Sequence, residues 1–115
     1  MVRWLVYIRL SRGTNLSYYK GLSLRGKRAL VFGGTSGLGK AIATGFAEAG
    51  ADVVPVGRRA EEVHKTALEI QQAGRNTIEI TADVTDRSQI QKVIDRMLTE
   101  MGRIDILVNS AGMTR

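Results

Sequence analysis

Between Val31 and Ala43 the sequence runs VFGGTSGLGKAIA, with glycines 33, 37 and 39 in a GxxxGxG spacing and a lysine directly after. Glycine-rich loops of this kind let backbone N–H groups approach phosphate oxygens closely. Two phosphate chemistries compete for it. From Gly34 the run G-T-S-G-L-G-K approaches the GxxxxGK[ST] loop that binds nucleoside triphosphates. That loop needs a hydroxyl after the lysine to hold magnesium, and the residue there is Ala41. No aspartate closes an apolar run in the manner of a magnesium-positioning acid, unless Asp83 takes that part.

The second chemistry is dinucleotide binding, in which each glycine has a separate task. Gly33 would turn the chain sharply off a strand, Gly37 would admit the pyrophosphate to the backbone, and Gly39 would let the following helix pack closely. The N–H groups and positive dipole end of that helix would then face the phosphates, with Lys40 on its solvent side. A second checkpoint lies after the next apolar run. An acid there favours NAD by accepting from the ribose hydroxyls, whereas an arginine pairs with the 2′-phosphate of NADP. The sequence is VVPVGRR: Gly57 stands in the acid's place, and Arg58 and Arg59 follow, Arg58 being 25 residues after Gly33. NADP is therefore expected over NAD, although Ser36 stands before Gly37 where a further basic residue would have helped.

These groups need a scaffold, and the hydrophobic pattern supplies one. Ala29–Phe32 is a short continuous apolar run, as in a buried parallel strand. Leu38, Ile42, Phe46 and Ala49 recur at helical spacing, with Gly50 as a C-terminal stop. Val53–Val56 forms a second strand, against which Pro55 is an objection because it donates nothing to a ladder. Val63, Ala67 and Ile70 mark a second helix ending near Gly74, and Thr77–Ile80 a third strand. Asp86 and Gln89 read as a capping box for a third helix carrying Ile90, Val93, Ile94, Met97 and Met101, closed by Gly102. Ile104–Val108 is a fourth strand. Strand–helix alternation implies an α/β fold: a parallel sheet with right-handed crossovers and helices on both faces.

At 115 residues the chain is one domain at most, with 43% hydrophobic and 24% charged residues. It has no cysteine, so disulfides, thiolate metal sites and a cysteine nucleophile are excluded. A reducing, cytoplasmic location is expected. No apolar run approaches a membrane span. The net charge of +6 is unevenly placed: eight of the 17 basic residues precede position 41 and no acid precedes Glu48. Residues 41–115 carry nine basic against 11 acidic groups, a net of −2, so no nucleic-acid partner is expected of the folded part. Residues 1–24 form a basic arm holding four of the six aromatics. It is expected to be loosely ordered, with a targeting segment or a packed strand or helix as alternatives. Residues 25–115 form the partial dinucleotide-binding domain.

With FGGTSGLG at 32–39, DVT at 83–85 and NSAG at 109–112, the chain resembles the short-chain dehydrogenase/reductases, whose signatures are TGxxxGxG, D[VL] and N[NS]AG in that order. The resemblance runs over about Leu24–Arg115, roughly four-fifths of the chain, and its wording is most similar to sugar-acid and oxoacyl reductases. It implies a Rossmann-like doubly wound sheet, here truncated to four strands in the order 3-2-1-4. It further implies that Gly33, Thr35, Ser36, Gly37, Leu38 and Gly39 line the pyrophosphate and ribose. Arg58, supported by Arg59, would hold the 2′-phosphate. Asp83 would bond the adenine amino group and Val84 would pack on the ring. Asn109, Ala111 and Gly112 would floor the cofactor. Phe32 departs from the family's threonine, so a brace from the first strand to the NSAG turn is expected to be lost.

The family's hydride transfer uses a serine, a tyrosine and a lysine four residues beyond that tyrosine, all after NSAG. Tyr7, Tyr18 and Tyr19 are followed at that distance by Ser11, Leu22 and Ser23, so no YxxxK exists in these residues. His64, the only histidine, reads as a surface residue. No catalytic or metal-binding residue is assigned. The expected function is the NADP(H)-binding half of an oxidoreductase acting on a carbonyl/alcohol pair, without turnover by this chain alone. The alternative is a standalone nucleotide-binding or interaction module, homo-oligomeric through an exposed fourth strand, whose uncovered apolar edge invites pairing.

Overall fold

The computed structural model describes residues 23–111, together with the backbone of three short strands at 2–3, 7–10 and 113–114. In chain order the elements are β1 (Val2–Arg3), β2 (Tyr7–Leu10), β3 (Arg28–Phe32), α1 (Gly37–Glu48), β4 (Asp52–Gly57), α2 (Ala60–Gln72), β5 (Ile80–Thr81), α3 (Arg87–Met101), β6 (Ile106–Asn109) and β7 (Met113–Thr114). The parallel strands lie side by side as β5-β4-β3-β6. This is the expected 3-2-1-4 order.

Two apolar layers sandwich the sheet, because successive strand residues point to opposite faces. On one face Ala29, Val31, Val53, Ile106 and Val108 pack with Ala43 and Ala47 of α1 and Ile70 of α2. On the other, Leu30, Phe32, Val54 and Val56 pack with Val93 and Met97 of α3. Both layers are made of residues removed almost wholly from water, which is the main source of stability in a domain of this size.

Pro55 sits in the middle of β4, opposite Val31 of β3. The Val56 carbonyl faces β3, where it accepts from Gly33 and Gly34, while the Val53 N–H and Gly57 carbonyl face the other way, to Asn76 and Ala82. Alternation therefore turns the donor-less nitrogen of Pro55 toward β5. The ladder on that side consists of Val56↔Ile80 and Gly57↔Thr81 only. The third strand is thus two residues, shifted from the expected Thr77–Ile80, because its would-be neighbour cannot donate at Pro55.

The fourth strand also begins later than expected. Asp105 uses its backbone N–H on the Arg28 carbonyl (2.8 Å) and its carboxylate Oδ2 on the Arg28 N–H (2.9 Å). At α3, Asp86 caps the helix by accepting from the Ser88 N–H. Gln89 completes the cap differently from a standard box: its Nε2 donates to Asp86 Oδ2 (3.1 Å) and its Oε1 accepts the Asp83 N–H (2.8 Å).

The far edge of β6 is not bare. β2 pairs with it antiparallel, Tyr7↔Asn109 through Leu10↔Ile106, at the position a parallel fifth strand takes in the six-stranded order. The expected uncovered edge of the fourth strand is thus covered by residues 7–10. The unpaired N–H and C=O groups of an apolar edge are satisfied by the nearest extended segment of the same chain. β1 pairs antiparallel with β7 in a separate two-stranded ladder.

Candidate cofactor-binding site

The loop after β3 is fastened at the ends of both neighbouring strands. Gly33 and Gly34 donate their N–H groups to the Val56 carbonyl of β4 (2.9 and 3.2 Å). Gly33 has φ 75°, and a Cβ there would lie 2.7 Å from the Ser110 carbonyl carbon and oxygen. Only glycine fits this turn. On the β6 side, the Ser110 N–H donates to the Phe32 carbonyl at 2.8 Å. This bond is accepted by the main chain whatever the side chain at 32, and Phe32 offers no hydroxyl brace beside it; its ring joins the α3-side layer. The buried Ser110 hydroxyl has no partner among the described residues.

Gly37 opens α1 with φ 54°, after Ser36 at the N-cap. The Ser36 side chain makes no cap bond, and no acid occupies the first turn. Among the described residues, the first-turn N–H groups have no side-chain acceptor at the positive end of the helix dipole. Gly39 packs on the loop itself, since a Cβ there would overlap the Gly33 carbonyl oxygen. Leu38 is 48% exposed beside this opening. Lys40 is not simply solvated; it reaches Glu69 of α2 at 2.9 Å.

At the end of β4, Gly57 lies directly against Thr35. Arg58 and Arg59 follow, both exposed, with Arg59 at the N-cap of α2. Asp83, just past β5, accepts the Thr85 N–H (2.9 Å) and hydroxyl (2.7 Å) on Oδ1. These two bonds, in that order, hold its carboxyl below the usual range, and the nearby Arg58 charge adds to them. Val84 packs at the margin of the α3-side layer. Asn109 folds onto its own turn, its Oδ1 accepting the Ala111 N–H at 3.3 Å.

The ends of β3, β4, β5 and β6 thus gather Gly33 to Gly39, Arg58 and Arg59, Asp83 and Val84, and Asn109 and Ala111 along one rim of the sheet. Gly112 lies outside the described residues. The rim includes the switch between β3 and β6, where strand order reverses. His64 stands apart, its Nδ1 3.0 Å from Glu79 on an exposed surface, and among the described residues no cluster could hold a metal.

Two features were missed from the residues alone. Gly34 is required by close packing, because a Cβ there would stand 2.8 Å from the Val31 carbonyl oxygen and 3.1 Å from Pro55. The doubled glycine at 33–34 was its only signal. The contact of Thr35 with Gly57 left no signal in the sequence, since 22 positions separate the two.

A family model described as short chain dehydrogenase matches residues 27–115. A 2-dehydro-3-deoxy-D-gluconate 5-dehydrogenase of Escherichia coli is 42% identical over 93 residues, covering 81% of this chain and 36% of the relative. A short chain dehydrogenase of Pseudocercospora fijiensis is 38% identical over 92 residues, covering 80% and 30%. Among solved structures, L-sorbose reductase from Gluconobacter frateurii, complexed with NADPH and L-sorbose, matches with a TM-score of 0.78. It is 34% identical, over 83% of this chain and 36% of that one. The chain spans about a third of the length of the curated relatives it matches.

Proposed function

The chain belongs to the short-chain dehydrogenase family, and from that premise we propose that it is the NADP(H)-binding half of an oxidoreductase acting on a carbonyl/alcohol pair. The observation that carries this reading is the charge pattern along the rim. The open N-terminus of α1, with no acid in its first turn, offers donors to a pyrophosphate. One strand over, Gly57 carries no acid and Arg58 offers a guanidinium to a 2′-phosphate. The donor set therefore fits a dinucleotide with an extra phosphate.

In this reading Gly33, Thr35, Ser36, Gly37, Leu38 and Gly39 hold the pyrophosphate and first ribose. Arg58 and Arg59 hold the 2′-phosphate, Asp83 and Val84 the adenine, and Asn109 and Ala111 the floor, with Gly112 beside them. When bound, the nicotinamide supplies or accepts a hydride. Within these 115 residues no YxxxK follows, so proton transfer to the carbonyl needs groups from elsewhere, and this chain alone gives no turnover. The cysteine-free composition suits a cytoplasmic setting, and among the described residues no helix is long and apolar enough to cross a membrane. A dimer through β6 is disfavoured, because the β2 backbone takes the edge it would need.

Thermal unfolding of the purified chain with excess NADPH, and with NADH as control, tests the proposal. Ligand at 100 times its dissociation constant stabilises the folded state by about 2.7 kcal/mol, a shift of roughly 10 °C or more for so small a domain. A larger shift with NADPH than with NADH is expected. Equal shifts, or none, would overturn the NADP reading.

A further inference from the structure

We infer that Thr35 and Gly57 act as a steric lock that sets the cofactor's ribose specificity; this rests on the NADP(H) reading above. A Cβ built on Gly57 would overlap the Thr35 hydroxyl oxygen, and would lie 3.1 Å from its methyl carbon and 3.3 Å from its Cβ. The three atoms nearest that Cβ all belong to the one threonine. Any side chain at 57 must therefore displace Thr35. A carboxylate at the end of β4, the group that would accept both ribose hydroxyls of NAD, is excluded by packing as well as by the residue present.

Thr35 has little room to yield. Its side chain is β-branched and stiff at χ1, and the residue is only 8% exposed. The backbone before it is pinned by the two N–H bonds of Gly33 and Gly34 to Val56. Gly34 lies flat against Pro55, with no space for even a Cβ. Gly57 is pinned from the other side, its carbonyl accepting the Ala82 N–H at 3.0 Å. The backbones on both sides of the contact are held by main-chain bonds, so the clash must be met by the Thr35 side chain itself. The threonine thus does two things at once. It fills the volume of the missing acid, and it leaves the ribose end of the rim to Arg58 and Arg59, the only charges next to Gly57 in sequence.

The test is a mutant cycle on the 115-residue chain, read first without cofactor. Gly57→Ala should lower the melting temperature by about 5 °C or more. In a Thr35→Ala background, which removes the hydroxyl and methyl, the same change should cost much less. Equal cost in both backgrounds, with NADPH still bound by the wild type, overturns the lock and leaves the cofactor reading intact. Titration calorimetry with NADH and NADPH then reads specificity. Gly57→Asp alone should gain no NADH affinity, whether it folds poorly or well. Thr35→Ala with Gly57→Asp should bind NADH about tenfold tighter than Thr35→Ala alone, and NADPH more weakly. Full NADH gain in the single variant overturns the lock. A wild type that binds neither cofactor overturns the NADP(H) reading, and the specificity role falls with it.

Discussion

Ser110 donates its backbone N–H to the carbonyl of Phe32 at 2.8 Å, fastening the turn after β6 to the end of β3. The two strands flank the point where strand order reverses, so this bond extends their pairing to the start of the turn there. Gly33 lies against this turn, since a Cβ built on it would stand 2.7 Å from the Ser110 carbonyl and 2.8 Å from the Ala111 nitrogen. Gly33→Ala adds both a clash and a left-handed strain at φ 75°. A loss of about 2–4 kcal/mol is expected, measured by urea unfolding, and a loss below about 1 kcal/mol would mean that the turn can open without breaking the brace.

Arg58 sits where its charge lowers the Asp83 carboxyl yet stays exposed to ligand. Arg58→Ala should weaken NADPH binding by about 10- to 100-fold while leaving NADH nearly unchanged, the signature of a lost charge-assisted phosphate contact. Calorimetric titration at two salt concentrations checks this, and the NADPH preference of the wild type should shrink as salt rises.

Met97 and Leu98 are sequence neighbours on α3 with opposite fates: Met97 is wholly buried in the α3-side layer, and Leu98 is 44% exposed. Met97→Ala should cost about 2–5 kcal/mol by leaving a cavity, whereas Leu98→Ala should stay within about 0.5 kcal/mol. Chemical unfolding of both variants separates them. A comparable loss at Leu98 would mean that it is covered by something outside the described residues.

Asp105 is held below its ordinary pKa: burial pushes it up, but the Arg103 guanidinium (2.9 Å) and the Arg28 N–H (2.9 Å) together outweigh that. Asp83 and Asp86 are lowered as well, by Thr85 and by Ser88 with Gln89. A carboxyl lowered on folding contributes stability that is complete above its unfolded pKa, about 3.9, and lost as pH falls through the folded value. The melting temperature should therefore fall as pH drops below about 4. Asp105→Asn should be less stable than the wild type at neutral pH and converge on it in acid. Parallel pH curves for the two proteins would show that Asp105 is not linked to folding.

Asp86 caps α3 while Gln89 ties that cap to the Asp83 N–H. Asp86→Ala should lower the melting temperature, as loss of an N-cap does. Gln89→Ala should lower it comparably and also loosen Asp83, which backbone hydrogen exchange at Asp83 can report. Unchanged exchange there would detach the cap from the site.

Much of the scaffold is legible in the sequence itself. Helical spacing of Ile90, Val93, Ile94, Met97 and Met101 located α3 and its buried stripe, and Gly102 marked its end. Apolar runs located β3 and β4 to within a residue, because a strand covered on both faces must be apolar throughout. The glycines, the arginines and the turns after β5 and β6 were legible through a spacing that phosphate and ribose chemistry dictates, reinforced by the resemblance of three short motifs. Such features are local: period, cap and turn each depend on residues a few positions apart.

What the sequence alone determined is therefore the alternation of elements, their order in a parallel sheet, and the chemistry displayed at its rim. Tertiary structure decided the rest, through contacts between distant residues that no local rule encodes. It turned the donor-less face of Pro55 toward β5 and shortened that strand, tied the turn after β6 to β3 through the Ser110–Phe32 bond, and laid β2 along the β6 edge. It also set Thr35 against Gly57, 22 residues apart, where close packing leaves room for only one side chain.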